Sequence, residues 1–108
     1  MAPVVSEKTT APDPLAIDPQ HYTVEFENDK VRVLRIRYGP HEKSSMHRHP
    51  PLVGVFLSPQ HSRHVLADGQ VMEMEGKTGD VRYLDSIEHA PENLSNTPFE
   101  LIAVELKS

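Results

Sequence analysis

The chain has 108 residues, no cysteine, a formal net charge of −5 and 37% apolar residues. That is room for one domain, and it excludes disulfides, thiolate metal ligands and a cysteine nucleophile. Acidic residues are scattered and outnumber basic ones, which argues against nucleic acid or an anionic membrane as a partner, since both need a basic footprint.

In chain order, residues 1–20 carry Pro3, Pro12, Pro14 and Pro19 among Ser, Thr and Lys with no periodic apolar pattern. They read as a flexible or extended N-terminal arm, and residues 21–108 as the folded domain. The N-terminus lacks the basic-then-apolar layout of a signal peptide and no apolar run reaches membrane-spanning length, so a cytoplasmic location is expected. From Tyr22 the texture changes. VRVLRIRY (31–38), LVGVFL (52–57), QVMEM (70–74), DVRYL (80–84) and FELIAVEL (99–106) are β-branched or alternating. Gly39-Pro40, Ser58-Pro59, Asp68-Gly69, Gly76 and Gly79 punctuate them. Asp68-Gly69 between apolar flanks predicts a two-residue hairpin. No segment sustains a 3.6-residue period, so the chain reads as all-β, a sandwich or barrel. Such a small sheet protein has edges to hide, and pairing with a second copy as a homodimer is the expected solution.

Seven histidines stand at 21, 41, 47, 49, 61, 64 and 89. His47 and His49 form a His-x-His pair whose rings share one strand face and can converge on one point. Alone the pair is weak, because roughly 0.4 such pairs are expected by chance at this composition. The wider arrangement adds weight. Gly39-Pro40 and HEKSSM precede His47-Arg48-His49, and farther on Gly79-Asp80 leads through a short apolar strand to His89, with Asn93 four residues later.

This order resembles the two motifs of the cupin superfamily, Gly followed by His-x-His and Gly-Asp followed by His-x-x-x-Asn. The resemblance covers residues 31–106. It implies a double-stranded β-helix (cupin or jelly-roll) barrel, with one divalent ion per chain on His47, His49 and His89. The pattern departs from the family in three places. The usual Glu ligand after the second His is absent, its positions being held by Val53 and Gly54; the Pro-x-Gly turn before the last His is missing; and the first Gly-to-His spacing is longer by two.

Three imidazoles without a carboxylate leave the full +2 charge of an ion at the site, which favours an anionic chelating ligand. Imidazole suits Fe, Zn, Ni and Cu, with Mn also admissible, so the residues do not name the metal. Cupins that lack the Glu include non-haem iron dioxygenases that cleave β-diketones. The resemblance therefore implies Fe(II) and a dioxygenase-like reaction on a small anionic or enolisable substrate. A non-redox isomerase, lyase or hydrolase, or a cupin that binds without turnover, are the alternatives. By strand parity Val53, Val55 and Leu57 are expected to line the substrate side of the metal. Tyr83 reads as a pocket wall or as an ordinary half-buried strand tyrosine. Arg35 reads more readily as a solvated arginine, with an anion contact at the barrel mouth as the alternative. Asn93 is expected to hold a loop, and His61 and His64 to be exposed.

Overall fold

A computed structural model describes residues 11–108. It contains one helical turn, α1 (Pro14–Ile17), and nine strands: β1 (Tyr22–Glu27), β2 (Val31–Tyr38), β3 (His47–His49), β4 (Leu52–Phe56), β5 (Gln60–Leu66), β6 (Val71–Gly76), β7 (Val81–Leu84), β8 (Ile87–Asn93) and β9 (Phe99–Leu106). They form a five-stranded sheet in the order β1-β2-β9-β4-β7 and a four-stranded sheet in the order β3-β8-β5-β6, with every pairing antiparallel.

The alternation read from the sequence sorts the five-stranded sheet. Leu34, Ile36 and Tyr38 of β2, Leu52 and Phe56 of β4, and Phe99 and Ala103 of β9 are buried. The inner face of the other sheet is polar. His47, His49, Gln60, Ser62, His64, His89 and Asn93 are all buried on it. Burying polar groups is unfavourable unless each is partnered, so this wall needs a reason beyond packing.

One element that was not legible as a strand is β8. β8 carries Pro91 in mid-sheet, where a proline ordinarily removes a ladder hydrogen bond. Here the amide side of Pro91 faces Ser44, whose N–H donates to Pro91 O at 3.0 Å, so the pairing of His64 with Pro91 on the β5 side loses nothing. A hairpin is present at the predicted place, but its loop has three residues, Ala67-Asp68-Gly69, not two: Gly69 N–H donates to Leu66 O at 2.9 Å, Leu66 N–H donates to Gln70 O at 2.8 Å, and Gly69 alone takes a positive φ, 90°.

The N-terminal arm ends in docked chain. Asp13 accepts from Leu15 N–H at 3.0 Å and caps α1, Pro14 is buried, and Arg48 donates from its backbone N to Pro12 O at 3.0 Å and from Nε to Ala11 O at 2.8 Å. Residues 11–20 are therefore held against β3 instead of trailing from the barrel; residues 1–10, the rest of the expected arm, lie outside the described residues. None of the helices among the described residues is long and apolar enough to cross a membrane.

The strand-parity expectation for the substrate wall fails, for a physical reason. Pro50 and Pro51 lie between β3 and β4, and prolines cannot sustain a ladder. The chain changes sheets there, so the parity of His47 and His49 does not carry into β4. Leu52 and Phe56 turn inward, while Val53 and Val55 turn outward. Val53 pairs with Tyr83 on one side and Val104 on the other, part of an outer row running Phe26, Val33, Val104, Val53, Tyr83 across all five strands. Tyr83 is 58% exposed and Leu57, just past β4, is 40% exposed. Arg35 is also on this outer face, paired with Glu25 at 2.7 Å and Glu100 at 2.6 Å.

Gly76 closes the barrel against Phe56: a Cβ built there would stand 1.9 Å from the Phe56 ring, which is itself buried. Gly76→Ala is expected to cost about 1–3 kcal/mol through overpacking, read as a lower denaturation midpoint with unchanged slope.

Candidate metal centre

His47 and His89 come together because β3 and β8 pair in a register that sets them directly opposite, with His49 two residues along the same face. One ring nitrogen from each of His47, His49 and His89 lies within 4.8 Å of the others, and all three residues are buried. The ring planes stand nearly perpendicular to one another, at 85°, 83° and 88°, with centroids 5.0, 4.9 and 5.2 Å apart. This is a three-sided cap that leaves its opposite face open.

In each ring the outer nitrogen is already engaged. His47 Nδ1 donates to Ser45 O at 2.9 Å. His49 Nδ1 donates to the carboxylate of Glu105 at 2.6 Å. His89 Nδ1 meets His64 Nδ1 at 3.0 Å. A carbonyl or carboxylate can only accept, so the proton of His47 and of His49 is on Nδ1 and Nε2 carries the lone pair that could ligate. His89 Nε2 is buried with no hydrogen-bond partner at all. Orienting the outer nitrogen through a carbonyl, a carboxylate or another polar group is how metal-binding imidazoles are held, and an orphaned buried ring nitrogen is what such a site shows. The residues fit one divalent ion with nitrogen ligands.

Burial keeps His47, His64 and His89 neutral. Desolvation, with a smaller contribution from neighbouring His49, lowers His47 and His64 to about 4, and the same causes, joined by His64 and His47, hold His89 well below the ordinary value. Neutral imidazole is the form that ligates.

Behind His49 the support continues outward. Glu105 is 2% exposed; its second oxygen accepts from Arg32 Nε at 2.8 Å, and Arg32 reaches on to Asp13 at 2.8 Å. The missing ligand carboxylate is thus partly replaced by one that sits a single imidazole away from the centre. Of the two positions the ligand Glu would hold, Val53 faces outward and Gly54 inward, where the side chain of Leu101 lies 3.6 Å from the position of an added Cβ.

The interior holds a cavity of about 60 Å³ lined by His49, His64 and His89 on one wall and by Leu52, Phe99 and Leu101 among others on the opposite one. Larger clefts lie on the surface; the one touching His49 is lined by Arg48, Pro50 and Glu88, and neither it nor the interior cavity is lined by His47. Tyr22 and Tyr38 also line the interior cavity; their hydroxyls are 2.7 Å apart, and Tyr22 OH is 3.0 Å from His47 Nε2. Burial pushes both phenols up from their usual range, so they act as O–H groups.

Against this geometry the comparisons can be stated. A cupin domain from Bordetella pertussis Tohama I superposes with a TM-score of 0.74 at 25% identity, covering 81% of this chain and 92% of that one. The chain is a cupin by fold. An RmlC-like cupin with a double-stranded β-helix fold from Methanocaldococcus jannaschii gives a TM-score of 0.62 at 16% identity, covering 83% and 84%. Oxalate decarboxylase of Bacillus subtilis gives 0.57 at 18% identity over 73% of this chain but only 22% of the larger enzyme. No family model and no curated protein matches the sequence.

The motif histidines of this cupin are where the sequence put them, together and buried. Asn93 holds loops, donating to Gly39 O at 3.0 Å and Thr97 O at 2.9 Å. His61 is half-buried, with its side chain 40% accessible beside Glu73 at 3.1 Å. His64 is not exposed: it is 6% accessible and stacks on His89 with centroids 5.0 Å apart. Its strand neighbours in parity are Gln60 and Ser62, polar residues that give no inward signal. Glu105 had a signal, since Phe99, Leu101 and Ala103 share its parity in β9 and face inward.

Two outcomes follow. His64→Ala and Glu105→Ala should each weaken zinc binding about 10–100-fold, while His61→Ala leaves it unchanged, measured by competition against a chromophoric chelator. In metal-free protein, the folded values of His47 and His64 lie below the free value of 6.5, so the unfolded chain takes up protons first as pH falls. Their stabilisation, on the order of 3 kcal/mol each, is fully present above pH 6.5 and lost as pH falls through about 4. Thermal melts across that window should show the decline, and a flat profile would contradict neutral burial.

Proposed function

We propose that this cupin is a metal-dependent enzyme of the dioxygenase type, acting on a small anionic or enolisable compound at an ion held by His47, His49 and His89, with Fe(II) as the metal. The observation that carries the reading is the combination of three convergent imidazoles with a cavity wall that contains no carboxylate among the described residues. Glu105, the nearest buried acid, has both oxygens committed to His49 and Arg32. An isomerase, lyase or hydrolase commonly uses a positioned base to take a proton, and no carboxylate lines this cavity. An oxidation of an already ionised chelate has no such requirement.

When bound, the ion would supply Lewis acidity and open coordination positions at which a chelating anion and O₂ can meet. The protein's own contributions are more specific. Ser45, Glu105 and His64 hold the three rings in ligating orientation. Ile36, Leu52, Phe99 and Leu101 keep the cavity apolar, the role expected of Val53, Val55 and Leu57. The cavity volume admits a compact ligand. Oxalate decarboxylase, which shares the fold, has Mn(II) centres, so manganese is the second metal to test.

The protein is expected to carry about one ion per chain, and His47→Ala, His49→Ala or His89→Ala should each abolish retention by elemental analysis. After anaerobic loading with Fe(II) or Mn(II), oxygen uptake should depend on an added β-diketone or hydroxy-acid. Metal retained by all three variants would remove the site, and turnover without oxygen would remove the dioxygenase reading.

A further inference from the structure

We propose that Tyr22, backed by Tyr38, is the hydrogen-bond donor that receives a compact anionic ligand at the three-histidine centre. The inference rests on the metal reading above and adds to it the residue that recognises the ligand.

The direction of the hydrogen bonds can be worked out from the outside inward. Ser45 O only accepts, so His47 carries its proton on Nδ1 and its Nε2 is a bare lone pair. Tyr22 OH, 3.0 Å from that Nε2, must therefore be the donor. With its hydrogen committed to His47, the Tyr22 oxygen accepts from Tyr38 OH at 2.7 Å. The chain runs Tyr38 to Tyr22 to His47, and it ends on the lone pair that a metal would use.

That lone pair cannot serve both. An ion on His47 takes it, and the Tyr22 hydrogen must then turn back onto the Tyr38 oxygen, 2.7 Å away, which reverses the chain and displaces the Tyr38 hydrogen, or go to an atom bound beside the ion. Tyr22 is 2% exposed, so water from outside does not replace the lost partner, and an unpaired buried donor is unfavourable. The Tyr22 ring is held by the same packing that buries it: its edge meets Tyr38 at 6.0 Å and its centroid lies 5.0 Å from His47 and 5.8 Å from His49. The hydroxyl therefore stays beside the centre, inside the cavity it lines. The acceptor that leaves the Tyr38-to-Tyr22 direction intact is an atom of whatever else occupies the ion's open positions. An anionic oxygen or nitrogen satisfies the donor best, because hydrogen bonds to charged acceptors are the stronger ones. Tyr38 strengthens the effect by polarising the Tyr22 hydroxyl from behind.

The consequence is a separation that a purely structural tyrosine would not produce. Tyr22→Phe keeps the ring and its packing but removes a competitor for the His47 lone pair, so the ion should bind as tightly as in wild type or more tightly. The anion should bind about tenfold or more weakly, because its donor is gone. The experiment uses the full chain loaded with Co(II), which reports its ligands by visible absorbance, and azide as a compact anionic probe. Co(II) affinity is measured by chelator competition and azide affinity by titration. Unchanged or tighter Co(II) binding together with weakened azide binding supports the proposal. Equal loss of both means that Tyr22 only shapes the fold, and unchanged azide affinity means that it does not donate to the ligand; either overturns the proposal while leaving the metal site intact. A wild-type protein that binds no Co(II) overturns the metal reading and this inference with it. Should Tyr22→Phe not fold, Tyr38→Phe carries the same test, with azide weakened about two- to fivefold at unchanged Co(II) affinity; equal azide affinity there overturns the inference.

Discussion

A buried imidazole has two nitrogens, and each must find a partner. Four such rings stand on one inner wall of this barrel, and much of the surrounding architecture follows from accommodating them. The Nδ1 of His47 takes a nearby carbonyl, that of His49 takes Glu105, and that of His89 takes His64. Each solution creates a further requirement. Glu105 is a buried carboxylate and needs a cation, which Arg32 supplies from β2; Arg32 has donors to spare, and Asp13 accepts from them. Asp13 is also the cap of α1. A chain of polar contacts thus runs from the centre of the barrel to the start of the described chain, and it explains why a proline-rich segment with no apolar periodicity is docked.

The same requirement explains the division of labour between the two sheets. The five-stranded sheet contributes the apolar half of the interior and most of the favourable burial, through residues such as Leu34, Tyr38 and Phe99. The four-stranded sheet contributes little of this and carries the polar groups. Breaking a buried network by removing one partner is far more damaging than the pair is stabilising, which makes the inner wall sensitive to single substitutions even where the lost group is no ligand.

Losing the ligand carboxylate changes the site in a way that charge counting on the ligands alone misses. Three neutral imidazoles would leave an ion's charge undiminished, but Glu105 is one ring away and acts through His49. Its effect is tempered by Arg32, so the centre is neither that of a carboxylate-ligated cupin nor that of an isolated three-nitrogen site. Two tyrosine hydroxyls then face the open side. With an ion bound, such a centre would be cationic and equipped with a donor, the combination that favours a small anion over water.

Much of this could be read from residue order. The β character, five of the strands, the Asp68-Gly69 turn and the three ligand positions all follow from local pattern and motif, because alternation, turn chemistry and His-x-His spacing act within a few residues. The partners of those ligands do not. His64 lies on a strand whose inward residues are as polar as its outward ones, so alternation is silent there. Arg32 and Glu105 are 73 residues apart, and only the pairing of β2 with β9 sets them side by side. The inward face of β4 depended on a sheet change at Pro50-Pro51, and strand parity is defined only within one continuous ladder. Sequence determined which groups can ligate; the packing of the two sheets decided which way β4 faces, what holds each ring, and that a tyrosine from β1 shares the lone pair of His47.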